Sequence, residues 1–191
     1  MRIMVITTNS GKFNEIAGFF RELPIAFEME PHSLVEIQAS VLEDVIRTKL
    51  ASIPEEIENC MTDDSGLFVH GLSGFPGVYS AYAYKTIGVR GICKLLEDIE
   101  DRSAHFECTI GLRLKGQTYF FKGVCAGHII SSPRGSGGFG FDPIFVPDGY
   151  EKTFAELDTT EKNRISHRGK ALQRMHDFLV SYMGLKPPRK I

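Results

Sequence analysis

The chain has 191 residues, 42% of them hydrophobic, enough for one sizeable core, so a single domain is expected over residues 1–185 with 186–191 as a loose tail. Its 22 basic and 24 acidic side chains leave a formal net charge of -2, which excludes a strong positive field and argues against a nucleic-acid partner. No apolar run approaches the ~20 residues of a membrane span. The N-terminus lacks a signal-peptide layout, and the scattered Cys60, Cys93, Cys108 and Cys125 form no Cys-x-x-Cys pair, so a cytoplasmic protein with reduced core cysteines is expected.

Arg2 to Thr7 is a short β-branched, apolar run and predicts a strand. After the polar Thr8-Asn9-Ser10-Gly11, Phe13, Ile16, Phe20 and Leu23 recur at helical spacing. Residues 25–29 fit a second strand. From Ser40 a helix carries Leu42, Val45, Ile46 and Ile53 on one stripe, with Lys49 lying among them. Cys60 to Thr62 is a short apolar segment ending in Asp63-Asp64-Ser65-Gly66. Gly71, Gly74, Pro76 and Gly77 then predict a loop-rich middle. Val89, Ile92, Leu96 and Ile99 mark another helix. Phe106, Cys108, Ile110, Leu112 and Leu114 alternate as in a half-buried strand, and a Lys115-Gly116 turn leads into a second strand from Thr118 to Ile130. Ser131 to Gly140 is a glycine-rich loop, and Leu172, Met175, Leu179 and Tyr182 give a C-terminal helix. The order predicts an α/β protein with a mixed sheet covered by helices.

Four segments could carry chemistry. Thr7-Thr8-Asn9-Ser10-Gly11-Lys12 lies between strand and helix, where free N–H groups, the helix dipole and Lys12 suit a phosphate. Asn9 or Ser10 could equally be an ordinary helix cap. The segment is not a Walker A loop, since Ile6 stands five before Gly11 and Phe13 replaces the magnesium-binding Ser or Thr. Asp63-Asp64 puts two acids side by side, with Glu36 a third upstream; magnesium takes one or two carboxylates plus phosphates and water. Strand alternation would turn Asp63 away from Asp64, so one of them enters the site and substitution of Asp63 should matter less.

The third segment is Arg134-Gly135-Ser136-Gly137-Gly138-Phe139-Gly140-Phe141-Asp142-Pro143. Its G-x-G-x-x-G match is accidental, because Pro143 and Pro147 stand where a dinucleotide fold begins its helix. Phe139 and Phe141 could stack on a base with Asp142 or nearby amides reading its edge, or could simply anchor the loop. The fourth is Lys162-Asn163-Arg164-Ile165-Ser166-His167-Arg168, a basic run opening the last helix, able to hold phosphates or to donate to purine O6 and N7. The six histidines show no zinc-site spacing.

In order and spacing, Thr7–Lys12, Glu36-Ile37-Gln38, Asp63–Leu67, Gly74–Ser80, Phe139–Pro143 and Ser166-His167-Arg168 resemble the inosine triphosphate pyrophosphatase family across nearly the whole chain. The resemblance implies an elongated mixed sheet flanked by helices, two lobes around a substrate cleft, a homodimer, and Mg2+-dependent hydrolysis of a nucleoside triphosphate between the α and β phosphates. It implies ITP, dITP and XTP as substrates. Carried over, Lys12 and Lys49 contact phosphates, with Thr7, Thr8, Asn9, Ser10, Gly11 and Ser65 beside them. Glu36 and Asp64 serve the magnesium, and Asp64 is also the proton acceptor. Phe139 stacks on the base, and Gly140, Phe141, Asp142, Lys162, His167 and Arg168 surround it. Tyr82 stands near where many members carry a basic residue, and Lys85 is close enough to replace it. Two other functions fit the same segments: a catalytically silent nucleotide binder or sensor, and a pyrophosphatase for other modified nucleotides.

Overall fold

The structure, a computed structural model, describes residues 1–185; the tail expected over 186–191 lies outside the described residues. The chain runs β1 (Arg2–Ile6), α1 (Ser10–Phe19), β2 (Ala26–Glu30), α2 (Leu42–Ala51), β3 (Cys60–Val69), β4 (Pro76–Gly77), α3 (Ser80–Thr86), α4 (Gly88–Leu95), β5 (Ser103–Leu114), β6 (Gln117–Ile129), β7 (Phe145–Pro147), α5 (Thr159–Ile165) and α6 (His167–Tyr182). One mixed sheet has the order β2-β1-β3-β5-β6-β7, with β4 added to β3. β1 is parallel to β2 and β3, and every other pairing is antiparallel. This is the mixed α/β architecture the sequence predicts.

The β5–β6 hairpin is the long axis. Its strands have 12 and 13 residues, about 40 Å at 3.4 Å per residue, and Lys115 (φ 47°) with Gly116 (φ 78°) closes it. Alternation sends Cys108, Ile110, Leu112 and Leu114 to one face, where they meet Ile3 and Val5 of β1, Ile16 of α1, and Leu172, Met175 and Leu179 of α6. Further along that face, Phe106 joins a second cluster with Leu67, Val69, Ile92, Leu96, Phe145 and Phe154. On the opposite face Ile46 and Leu50 of α2 pack with Ile6, Ile53 and Cys60. Two cores at the two ends of one hairpin make the two lobes.

Two expectations change. The segment of Asp63-Asp64-Ser65-Gly66 is not the end of a short apolar run or a turn; β3 continues through it to Val69, held in unbroken register against β5 from Cys60↔Arg113 to Val69↔Ala104. Tertiary pairing overrides the turn signal of Asp-Ser-Gly. The loop-rich middle runs into an unforeseen α3, ahead of the helix predicted from Val89, Ile92 and Leu96, which is α4. The basic run from Lys162 to Arg168 spans two helices: Lys162 lies on α5, while Ser166 caps α6 by accepting from the Gly169 N–H at 3.1 Å.

The register shows where a cleft can open. β1 pairs with β3 only at Cys60 and Met61, and β4 takes the same edge only at Leu67 and Phe68. Between these, the Asp63–Gly66 edge has β5 on one side and no strand on the other. β1 leaves the sheet at Thr7, whose Oγ1 accepts from the Asn9 N–H at 3.1 Å while the Asn9 side chain caps α1 through the Lys12 N–H at 3.1 Å. Gly66 is required on the far side of the gap, since a Cβ there would lie 2.4 Å from the Gly77 carbonyl oxygen. Gly123 of β6 does the same for α6: a Cβ would lie 2.0 Å from the His167 carbonyl oxygen, so the first turn of α6 rests directly on the sheet.

Candidate active site

The gap in the sheet opens into a cleft of about 290 Å³ lined by residues from both lobes. Its walls include Asn9, Lys12, Asp64 and Ser65 at one end and Phe139, Gly140, Phe141 and Asp142 at the other, with His167 also in the lining and Arg168 reaching both Ser65 and Phe139.

Alternation along β3 sends its two aspartates to different helices. Asp64 points toward α2, where its Oδ2 accepts from Lys49 Nζ at 2.8 Å and its Oδ1 from the Ser65 N–H at 2.8 Å. Lys49 also bonds Glu36 Oε1 at 2.8 Å. Lys49 is 6% exposed on the apolar stripe of α2, and burial disfavours its charge, yet Asp64 and Glu36 together hold its ammonium above the ordinary lysine value. Glu36 is lowered in turn, first by the Lys49 hydrogen bond.

Asp63 points the other way, as strand alternation predicts, and stays out of the cleft lining, yet it is tied to two cations that line it. It is 7% exposed and its Oδ2 takes Lys12 Nζ at 3.1 Å and Arg168 Nε at 3.3 Å. Burial raises its pKa, but those two cations outweigh burial and hold the carboxyl at about 2. Arg168 also donates to Glu15 Oε2 at 3.0 Å, and its Nη2 lies 3.5 Å from Ser65 Oγ. Asp63 therefore positions two of the expected site cations from beneath the cleft floor.

At the other end Phe139 is half exposed, with Lys162 Nζ 4.9 Å and Arg168 Cζ 5.4 Å from its ring centroid. Phe141 behaves differently: it is 3% exposed, packs edge-on to Tyr84 at 5.5 Å and anchors the loop, as the blander reading allowed. Asp142 is buried, and its Oδ2 is taken by Lys162 Nζ at 2.6 Å and the Phe139 N–H at 2.7 Å, so it braces the platform from behind. His167 stacks on Phe106 at 4.8 Å and 13°, and its Nδ1 is buried without a hydrogen-bond partner. Burial, then Arg168 and Lys162, push its pKa well below the histidine range, so the ring is neutral.

Of the Thr7–Lys12 segment only Asn9 and Lys12 line the cleft, and Thr7, Thr8, Ser10 and Gly11 do not; Lys49 and Lys162 also lie outside the lining, as partners of Asp64 and Asp142, and Glu36 is tied to the site through Lys49. Tyr82 is 71% exposed and does not line the cleft; Lys85, one helical turn on, does, and its charge helps lower Glu36. Sequence reasoning missed Glu15, Ser80, Tyr84 and Phe106. Glu15 had a signal, three residues after Lys12 on one helix face. Ser80 stands in the Gly74–Ser80 segment of the resemblance, but nothing local assigns it a role: its hydroxyl donates to the Gly77 carbonyl at 2.7 Å and accepts from the Leu67 N–H at 2.8 Å, a tertiary lock on β3 and β4.

Glu36 and Asp64 each lie 2.8 Å from a single ammonium, so both carboxylates already converge around one positive charge. That donor set fits a hard cation that takes one or two carboxylates and draws its remaining ligands from phosphate oxygens and water. Among the described residues no three His, Cys, Asp or Glu side chains form a ready-made metal cage.

Fold and site define a mixed α/β protein with an interlobe cleft, one end lined by paired acids and lysines and the other by an exposed aromatic ring. The Ham1 family model matches residues 3–178. A dITP/XTP pyrophosphatase of Pyrococcus horikoshii is 48% identical over 94% of this chain and 97% of its own length, and one of Saccharolobus solfataricus is 42% identical over 95% of each. Among solved structures, a HAM1 protein from Coxiella burnetii superposes with a TM-score of 0.84 at 34% identity, covering 95% of this chain and 99% of that one. The Staphylococcus aureus Ham1 protein gives 0.85 at 29%, covering 95% and 100%. The chain belongs to the Ham1 family.

Proposed function

We propose that this protein hydrolyses non-standard purine nucleoside triphosphates, dITP, ITP and XTP, between the α and β phosphates, releasing the monophosphate and pyrophosphate. The relatives named dITP/XTP pyrophosphatase support the reaction. The observation that carries it on this chain is the split strand edge that sets Asp64 with Lys49 and Lys12 at one end of a cleft whose other end is Phe139. Thr7–Lys12, Lys49 and Ser65 receive the triphosphate, and Lys85 adds a further cation. Phe139 supports the base, with Gly140, Phe141, Asp142, Lys162, His167 and Arg168 around it. Glu36 and Asp64 hold magnesium, which when bound neutralises charge on the triphosphate oxygens.

Asp64 sits at the open strand edge with its carboxylate toward the cleft and accepts the proton of the attacking water. The water oxygen bonds the α phosphorus, the bond from that phosphorus to the bridging oxygen breaks, and pyrophosphate leaves with the electron pair. Lys12 and Lys49 stabilise the charge that gathers on the leaving group. His167 lines the cleft that takes the base, and its neutral ring carries one N–H that can donate to a purine O6. Adenine offers an amine there, leaving the donor unpaired, and this disfavours ATP.

The same reading includes a cytoplasmic homodimer. No helix among the described residues is long and apolar enough to cross a membrane. Phe75, Tyr79, Tyr82, Ile87 and Leu95, all exposed around α3 and α4, supply apolar surface for a second copy.

Two substitutions test the base end. Phe139→Ala is expected to weaken binding of a non-hydrolysable ITP analogue by roughly 1–3 kcal/mol, the worth of one base-aromatic stack. Unchanged affinity in calorimetry would return Phe139 to a purely structural role. Arg168→Ala would strand Asp63 and Glu15, so Arg168→Lys is the cleaner change, keeping the charge but not the guanidinium fork. Its kcat/KM should fall more on ITP than on ATP; an equal loss would make Arg168 a phosphate contact.

A further inference from the structure

Beyond α2, the face of the sheet opposite α6 is open to solvent and carries Ser103 and His105 on β5 and His128 on β6, with His70 beside them in the turn after β3. None of these residues lines the cleft. We propose that His70 and His105 form a binding site for a borderline divalent transition-metal ion, zinc, nickel or copper(II), separate from the cleft.

The hydrogen bonds around the pair fix which nitrogens are free. Asp101 Oδ1 accepts from the Ser103 N–H at 2.9 Å and from the Ser103 hydroxyl at 2.5 Å. These bonds lower the Asp101 pKa and keep it ionised, so it only accepts. With its proton directed to Asp101, Ser103 Oγ can only accept from His70 Nδ1, 2.8 Å away. His70 therefore carries its ring hydrogen on Nδ1 and its lone pair on Nε2. Metal-binding histidines are oriented in this way, the remote N–H committed to an outer partner.

His70 Nε2 lies 3.1 Å from His105 Nδ1. Two imidazole nitrogens on a tetrahedral ion at 2.0–2.1 Å are about 3.3 Å apart, close to the separation already present. His105 is held in place by stacking on Phe68, centroids 5.0 Å apart and planes 3° from parallel. A ligating imidazole binds in its neutral form. The His105 hydrogen moves to Nε2, both lone pairs meet the ion, and water fills the other positions. Glu107, the nearest carboxylate along β5, is taken by Lys122 at 2.7 Å. The remaining protein ligands are imidazoles, which favour zinc, copper or nickel over magnesium or calcium.

The test is calorimetric titration of the full chain with zinc or nickel chloride under excess magnesium, which keeps oxygen sites occupied, with histidine ring-proton NMR in parallel. Expected is saturable binding of one ion per chain that shifts the His70 and His105 resonances together and is lost in His70→Ala and in His105→Ala. Ser103→Ala should weaken it about tenfold, the usual effect of removing an outer partner. All three variants lie outside the cleft and should retain magnesium-dependent turnover. Absence of saturable binding overturns the proposal and leaves the pair as an N–H···N hydrogen bond. Binding that survives in His105→Ala overturns it equally.

Discussion

Asp64→Asn is expected to lower turnover of ITP by about 10²–10⁴-fold, the range of losing a positioned general base, while the protein stays folded and still binds nucleotide. Asparagine keeps the volume, and its single amide oxygen can still accept from Lys49 or from the Ser65 N–H, one of the two bonds that place Asp64 through its separate oxygens. It lacks the charge that holds a divalent cation or takes a proton. A magnesium titration separates those roles: restoration by excess magnesium marks a metal ligand, and no restoration marks the proton acceptor. Near-normal turnover by folded Asp64→Asn would remove the residue from the mechanism.

Asp63→Asn is expected to fail differently, through the scaffold. Its carboxylate is buried and neutralises Lys12 and Arg168, the latter 4% exposed. Breaking one partner of a buried pair leaves an uncompensated charge and costs about 3–5 kcal/mol. The pH dependence carries the same sign. The folded pKa, about 2, lies below the ordinary 3.8, so the contribution of Asp63 is fully present above pH 3.8 and is lost as pH falls toward 2. The wild-type advantage over Asp63→Asn in denaturant unfolding should therefore be full at pH 6 and shrink with acidification below pH 4. A variant as stable as wild type at pH 6 would mean the buried triad contributes nothing. Nucleotide affinity should fall as well, because Lys12 and Arg168 lose the group that places them.

What the sequence disclosed follows from periodicity. The β5–β6 hairpin, α1, α2 and α6 are long, strongly patterned elements, and Lys49 was conspicuous because it breaks an apolar stripe. β3 was hidden because Asp-Asp-Ser-Gly is locally turn-like, and only ten consecutive pairings with β5 make it a strand. The role of Asp63 was hidden for a related reason. Alternation gives a side chain's direction but not what waits on that face, here Lys12 of α1 and Arg168 of α6, 51 and 105 residues away along the chain. Phe139 and Phe141 look alike in sequence, and only the packing of Phe141 against Tyr84 separates the exposed ring from the anchor.

The most direct measurement is identification of the products when the protein is mixed with magnesium and ITP. The account predicts IMP and pyrophosphate, one of each per ITP consumed, with ATP and GTP far poorer substrates under the same conditions. IDP with orthophosphate would contradict attack at the α phosphorus, and ITP left intact by folded protein would contradict the activity itself.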